Sequence, residues 1–151
     1  MEIVVDSPTS PAVRQLLEDH LRDMFATSPP ESVHALPPEK LADPHVTFFS
    51  VRDEGVVVGC GAMSELSPAH GELKSMRLIE SARGKGYASA LLTHLITVAR
   101  ERGYERVSLE TGAEDFFAPA RRLYERHGFT VTGPFAEYTD DPNSVYYTLA
   151  L

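Results

Sequence analysis

The chain carries a single cysteine, Cys60, and no tryptophan among its 151 residues. A lone thiol excludes an internal disulfide framework and any multi-cysteine zinc site. No apolar run approaches the roughly 18 residues that a bilayer-crossing helix needs, so a spanning helix is excluded. The opening Met1–Asp6 lacks the basic and apolar regions of a secretory signal, which predicts a cytoplasmic location. Positive charge is also scarce: 14 Lys and Arg stand against 22 Asp and Glu, a net −8. That balance argues against nucleic acid as a partner, because phosphate neutralisation needs a basic surface. A GxxxxGK[ST] phosphate loop is missing, which argues against a P-loop triphosphatase. The six histidines form no HExxH pair, and no GxSxG elbow accompanies them, so a metal site is not expected.

What is present is one domain's worth of globular sequence, 42% hydrophobic and 24% charged, read as a single domain over 1–151. The charge is uneven. Lys74 to Arg106 holds seven basic residues and three Glu, a local +4 that suits a compact anion.

Ile3–Val5 reads as an opening strand. Ser10-Pro11 then starts an amphipathic helix to about Thr27, with Val13, Leu16, Leu17, His20, Leu21 and Met24 at helical spacing. Five prolines between 28 and 44 leave room only for a short helix near Pro38–Ala42. Val46–Arg52 and Val56–Glu65 form a hairpin across Asp53-Glu54-Gly55. Ser67–Gly71 reads as a turn, and Glu72–Ile79 as the next strand. After Arg83-Gly84-Lys85-Gly86 the period becomes helical, with Leu91, Leu92, Leu95, Ile96 and Ala99, and stops at Gly103. Arg106–Thr111 is a strand, Pro119 opens a last helix that Gly128 closes, and two strands follow near 130–133 and 145–149. The result is an α/β mixture in which an antiparallel hairpin feeds one parallel crossover.

Arg83-Gly84-Lys85-Gly86-Tyr87-Ala88 sits between a strand and a helix. Glycines there allow a sharp turn, and helix-start amides with two cations make a pyrophosphate cradle. A dinucleotide fingerprint fits poorly: Ser89 occupies the third glycine position, although Glu110 lies 24 residues beyond Gly86. Several parallel crossovers would also be needed.

The pattern Arg83-x-x-Gly86-x-Ala88, preceded by Met76-Arg77-Leu78 and followed by Leu123-Tyr124-x-x-x-Gly128-Phe129, resembles the GNAT superfamily of acyl-CoA N-acyltransferases. The resemblance implies a mixed, mostly antiparallel twisted sheet of six to seven strands flanked by about four helices, with a central β-α-β crossover at the cofactor loop. It implies acetyl-CoA as co-substrate, its pantetheine along Met76 and Leu78 between two splayed strands. Its pyrophosphate would rest on the amides of Gly84, Lys85, Gly86, Tyr87 and Ala88 with Arg83 beside it. Tyr124 matches the position from which the family often presents a phenol to the CoA sulfur. Many members carry Asn where this chain has Phe117, so Phe117 either packs on the pantetheine arm or cofactor contacts come from elsewhere.

The chemistry needs the same parts. An attacking amine of pKa about 10.4 must lose a proton, and the leaving thiolate, of pKa about 8.5, must gain one. Tyr124 is an adequate acid. Glu72 and Glu110, near the ends of neighbouring strands, are both candidate bases, and either could equally be a solvated strand-end residue. The acceptor is then a primary amine of a small molecule or an amino-terminus, with no membrane partner, and a homodimer, common among relatives, is allowed. A non-catalytic acyl-CoA sensor that kept the loop is the alternative reading. A toxin-type action on aminoacyl-tRNA is disfavoured by the net charge. Cys60 reads as buried filler.

Overall fold

Strands Glu2–Val5 (β1), Val46–Asp53 (β2), Val56–Ser67 (β3), His70–Leu78 (β4), Arg106–Gly112 (β5), Thr130–Thr132 (β6) and Ser144–Ala150 (β7) form one sheet, in a computed structural model describing residues 1–151. Their spatial order is β1-β2-β3-β4-β5-β7-β6. Every neighbouring pair is antiparallel except β4 with β5. Helices Pro11–Thr27 (α1), Pro38–Leu41 (α2), Tyr87–Glu101 (α3) and Ala118–Arg126 (α4) flank it. The expected α/β architecture, strand number and crossover are therefore present, with α3 connecting the parallel pair.

Local chemistry explains the elements. Glu54 and Gly55 both adopt positive φ (50° and 81°), the requirement of a two-residue turn matched to strand twist, and this sets the β2–β3 hairpin. The turn expected over 67–71 is shorter, because Ser67 already pairs with His70 across Pro68-Ala69. Gly71 belongs to β4, bonded to Glu65 on one side and Val107 on the other. A Cβ at Gly71 would meet the Met63 sulfur and the Tyr104 ring at 2.8 Å, so glycine here reflects close packing rather than a turn.

Two cores lie on opposite faces of the sheet. Leu91, Leu92, Leu95 and Ile96 of α3 pack with Leu73, Leu109, Leu123 and Tyr124 on one face. On the other, Val13, Leu16 and Leu17 of α1 pack with Leu41, Phe48, Cys60 and Ala62. Each fully buried aliphatic side chain contributes roughly 1.5–3 kcal/mol to holding its helix down. Cys60 is wholly buried, its thiol is pushed up to about 12 by burial, and its Sγ donates to the Ser75 carbonyl at 3.2 Å. It is structural, as the sequence indicated.

Two irregularities shape the centre of the sheet. Cys60 pairs with Arg77 and Ala62 with Lys74, so Gly61 alone faces both Ser75 and Met76. This is a β-bulge, with Ser75 at φ 55°. The extra residue shifts the alternation, placing Glu72, Lys74 and Arg77 together on the α1 face, and Leu73 and Met76 on the α3 face. The second irregularity is a parting. Only His70–Leu73 pair with Arg106–Leu109; beyond them β4 and β5 diverge.

Candidate active site

The parting opens a cleft of about 440 Å³ that passes between the two faces of the sheet. Lys74 to Leu78 form one wall, with no ladder partner on the β5 side. Glu110, Thr111 and Gly112 form the other wall, backed by α4 through Pro119, Ala120, Leu123 and Tyr124. Unpaired strand amides and carbonyls are costly to leave without partners. The edge at Met76 and Leu78 is therefore suited to an extended amide-bearing chain.

At the mouth, Gly84 and Gly86 take φ of 78° and 83°, a conformation that glycine adopts freely. Gly86 caps α3 at its N-terminus. The amides of Gly84 through Ser89 have no acceptor within the protein, and a Cβ at either glycine would project into open space. Six consecutive free N–H groups at a helix start are suited to hold an anion. Arg83, exposed at its rim, also lines the cleft. The ring of Tyr87 turns elsewhere: its hydroxyl donates to Asp53 Oδ2 at 2.5 Å, so only its amide is available to the cradle.

Tyr124 reaches the gap from the α3 face. It is 8% exposed, lies against Phe129 and Tyr147, and its hydroxyl comes to 4.0 Å from the Met76 sulfur. Burial, reinforced by the charge of Glu110, raises its pKa well above the ordinary phenol, so the hydroxyl keeps its proton at neutral pH. Phe117 is buried and lines the cleft, its ring lying over Gly112, where a Cβ would stand 2.0 Å from Phe117 Cδ2. Gly112 thus admits a ring at the position where an amide side chain was the family expectation.

From the opposite face come the carboxylates. Glu72 is 5% exposed, and its Oε2 accepts from Lys74 Nζ at 3.1 Å and from the Tyr138 hydroxyl at 2.5 Å. Glu110 has a different environment. Burial pushes its carboxyl up to about 7, against the lowering effect of Ser144 Oγ, which donates to Oε2 at 2.7 Å. A carboxyl raised toward neutrality by burial beside a cleft is a candidate for proton transfer. No cluster of three or more His, Cys, Asp or Glu is arranged to hold a metal ion.

The sequence profile of the Acetyltransferase (GNAT) family matches residues 13–129. The chain belongs to the GNAT acetyltransferase family. It is 50% identical over 151 residues to an uncharacterized N-acetyltransferase, YsnE, of Bacillus subtilis, covering all of both chains. It is 37% identical over 145 residues to the IAA acetyltransferase of Azospirillum brasilense, covering 95% of this chain and 94% of that one. Its fold also matches a GNAT family acetyltransferase from Elizabethkingia anophelis with acetyl-CoA bound, at TM-score 0.69 and 15% identity, over 99% and 97% of the two chains. Membership supports acetyl transfer in general as the activity.

Within this GNAT fold, Glu72, Met76, Leu78, Arg83, Gly84, Ala88, Glu110, Phe117 and Tyr124 all border the one cleft. Lys85, Gly86 and Tyr87 contribute backbone at its mouth and do not line its body. Several further residues reach the site without having been singled out in the sequence. Lys74 comes from β4, Tyr138 and Asn143 from the 133–143 segment, and His20 and His34 from the N-terminal third. Lys74 carries the one usable signal, standing two residues after Glu72 on a strand. No local pattern marks Tyr138.

Proposed function

We propose that this GNAT enzyme transfers the acetyl group of acetyl-CoA to a primary amine of a small molecule or an amino-terminus, by direct attack on the thioester. The observation that carries this reading is the arrangement across the parted strands: Tyr124 on one face, Glu110 and Glu72 on the other, and free amides at the mouth. A thioester lying in the gap would have its sulfur toward the phenol and its carbonyl open to attack from the carboxylate side.

Glu110 is the base in this reading, directly or through water. With its pKa raised toward 7, Glu110 is still partly ionised at neutral pH and is a stronger base than an ordinary carboxylate. It can therefore take the proton that the attacking amine nitrogen loses once the C–N bond has made that N–H acidic. Glu72, already held by Lys74 and Tyr138, positions the cluster rather than receiving the proton. As the C–N bond forms, the carbonyl oxygen gains negative charge, which a main-chain N–H of the unpaired β4 edge near Leu78 can meet. Collapse of the tetrahedral species breaks the C–S bond, and Tyr124 donates its proton to the departing thiolate. In water that transfer is uphill by about 2 kcal/mol; burial and the Glu110 charge make the phenol a weaker acid still, and protonation of Glu110 during attack removes the second of these effects. The acetylated amine leaves with the Glu110 carboxyl protonated, and solvent restores both groups.

The name of the Azospirillum relative, IAA acetyltransferase, belongs to that protein. For this chain the amine-accepting reading is preferred, because two carboxylates and a phenol are the groups that amine acetylation requires. The test is thiol release from acetyl-CoA in the presence of a panel of primary amines. Release with at least one amine supports the reading. Acetyl-CoA binding without release for any of them supports a sensor role instead.

A further inference from the structure

Buried polar groups without hydrogen-bond partners are rare and costly. Five such side-chain atoms occur in this protein: His20 Nδ1, His34 Nε2, Ser75 Oγ, Arg77 Nε and Glu114 Oε2. Four of the five sit on residues that border the cleft. Three of these, on His20, Ser75 and Arg77, come from the stretch where α1 crosses the β4 bulge.

The bulge creates this grouping. Ser75, at φ 55°, sits between Lys74 and Arg77 and lets both point toward α1. The Arg77 guanidinium is 13% exposed and is tied by Nη2 to Asp23, whose carboxylate is 38% exposed toward solvent. Its inward Nε–H has no acceptor. His20 is held neutral, its pKa pushed down to about 4 by burial and then by the Arg77 charge. A neutral imidazole can present a donor at Nδ1. Arg77 Nε–H donates, and Ser75 Oγ–H and His20 in its Nδ1–H tautomer can donate beside it, around one fixed positive charge. A planar, singly charged acceptor group satisfies such a set best.

Resting on the amine-acetylating reading above, we propose that Arg77, Ser75 and His20 form a carboxylate subsite, and that the acceptor is a primary amine that also carries a carboxylate, of the amino-acid class. The carboxylate docks beside α1, while the amine turns along β4 toward Glu110 and the gap. Such a ligand is neutral overall, with its ammonium drawn to Glu72 and Glu110 and its anion to Arg77. It would lie beside two ion pairs that are already formed, Lys74 with Glu72 and Arg77 with Asp23.

The test compares amino acids with their carboxamide counterparts, which keep the amine and side chain but lose the negative charge. Thiol release from acetyl-CoA is measured for the full chain with each pair. The expected result is kcat/KM at least ten-fold higher for the acid than for the amide of the preferred side chain. In R77Q that ratio falls toward one, chiefly through a higher KM for the acid. Because Arg77 also holds Asp23, S75A provides a second variant: its hydroxyl has no partner in the protein, so folding does not depend on it, and the ratio falls several-fold there too. Equal use of acids and amides by the unaltered chain overturns the carboxylate subsite and leaves amine acetylation standing. Absence of release with every amine, while calorimetry still records acetyl-CoA binding, overturns both readings. A ratio unchanged in both variants overturns the assignment of these residues.

Discussion

Tyr138 donates its hydroxyl to Glu72 Oε2 at 2.5 Å, joining residues 66 positions apart in the chain. Lys74 approaches the same oxygen at 3.1 Å and the Tyr138 hydroxyl at 3.0 Å, so the three side chains form a closed triangle beside the cleft. Burial and the neighbouring Glu72 charge raise the Tyr138 pKa, which keeps its proton in place as the donor. The triangle fixes the segment 133–143 against β4.

Removing one corner should loosen that segment. Tyr138→Phe deletes a charge-assisted hydrogen bond, worth about 1.5–3 kcal/mol, and leaves Glu72 with Lys74 alone. The expected outcome is a lower unfolding free energy in urea and a KM for the amine raised several-fold. The KM for acetyl-CoA is expected to stay the same.

Glu110 gives a pH signature. With the carboxyl near 7, kcat/KM should rise through an acidic limb centred there, and Glu110→Gln should abolish the limb and lower the rate about 10²-fold or more. Stability should move the opposite way. The folded pKa lies above the ordinary 4.5, so the carboxyl favours folding at low pH, and that contribution is lost as pH rises through 7. Between pH 4.5 and 8 the unfolding free energy of the unaltered chain should fall by up to about 3 kcal/mol relative to E110Q. Urea titrations of both at several pH values measure the difference.

Tyr124→Phe separates catalysis from binding. The hydroxyl makes no close bond in the protein, its nearest partner being the Met76 sulfur at 4.0 Å, so the fold tolerates its loss. Turnover should drop about 10²-fold, with acetyl-CoA affinity by calorimetry unchanged within two-fold. Undiminished turnover would assign the thiolate's proton to another donor.

The mouth of the cleft responds to backbone geometry. Gly86→Ala meets no neighbouring atom but places a Cβ at φ 83°, costing about 1–2 kcal/mol and turning the amides that follow. The expected result is a KM for acetyl-CoA raised about ten-fold with kcat largely kept, measured by thiol release under saturating amine.

Much of this architecture was legible in the chain. The switch from alternating to helical spacing after Gly86 marked β4, the loop and α3. The glycines at 84, 86, 103 and 128 sit where φ is positive, as their places at element ends suggested. Gly59 and Gly61 suggested a bulge or close backbone packing in β3, and the register does shift at Gly61. Its effect on β4 was not legible, because the positive-φ residue there is Ser75 rather than glycine and strict alternation would have sent Lys74 and Arg77 to opposite faces. The Glu72–Lys74–Tyr138 contact depends on how residues 133–143 fold back over β4, which no short-range pattern encodes. The choice between Glu72 and Glu110 likewise needed their surroundings: one is held by a cation and a phenol, the other is desolvated with only Ser144 donating to it.

Four residue pairs, His70 to Leu73 against Arg106 to Leu109, are the whole strand ladder between a four-strand plate and a three-strand plate. A slender amide-bearing tail threaded beside Lys74–Leu78 would serve as the missing rib, knitting the two plates along their full height. The protein with such a passenger aboard is a more continuous body than the protein alone.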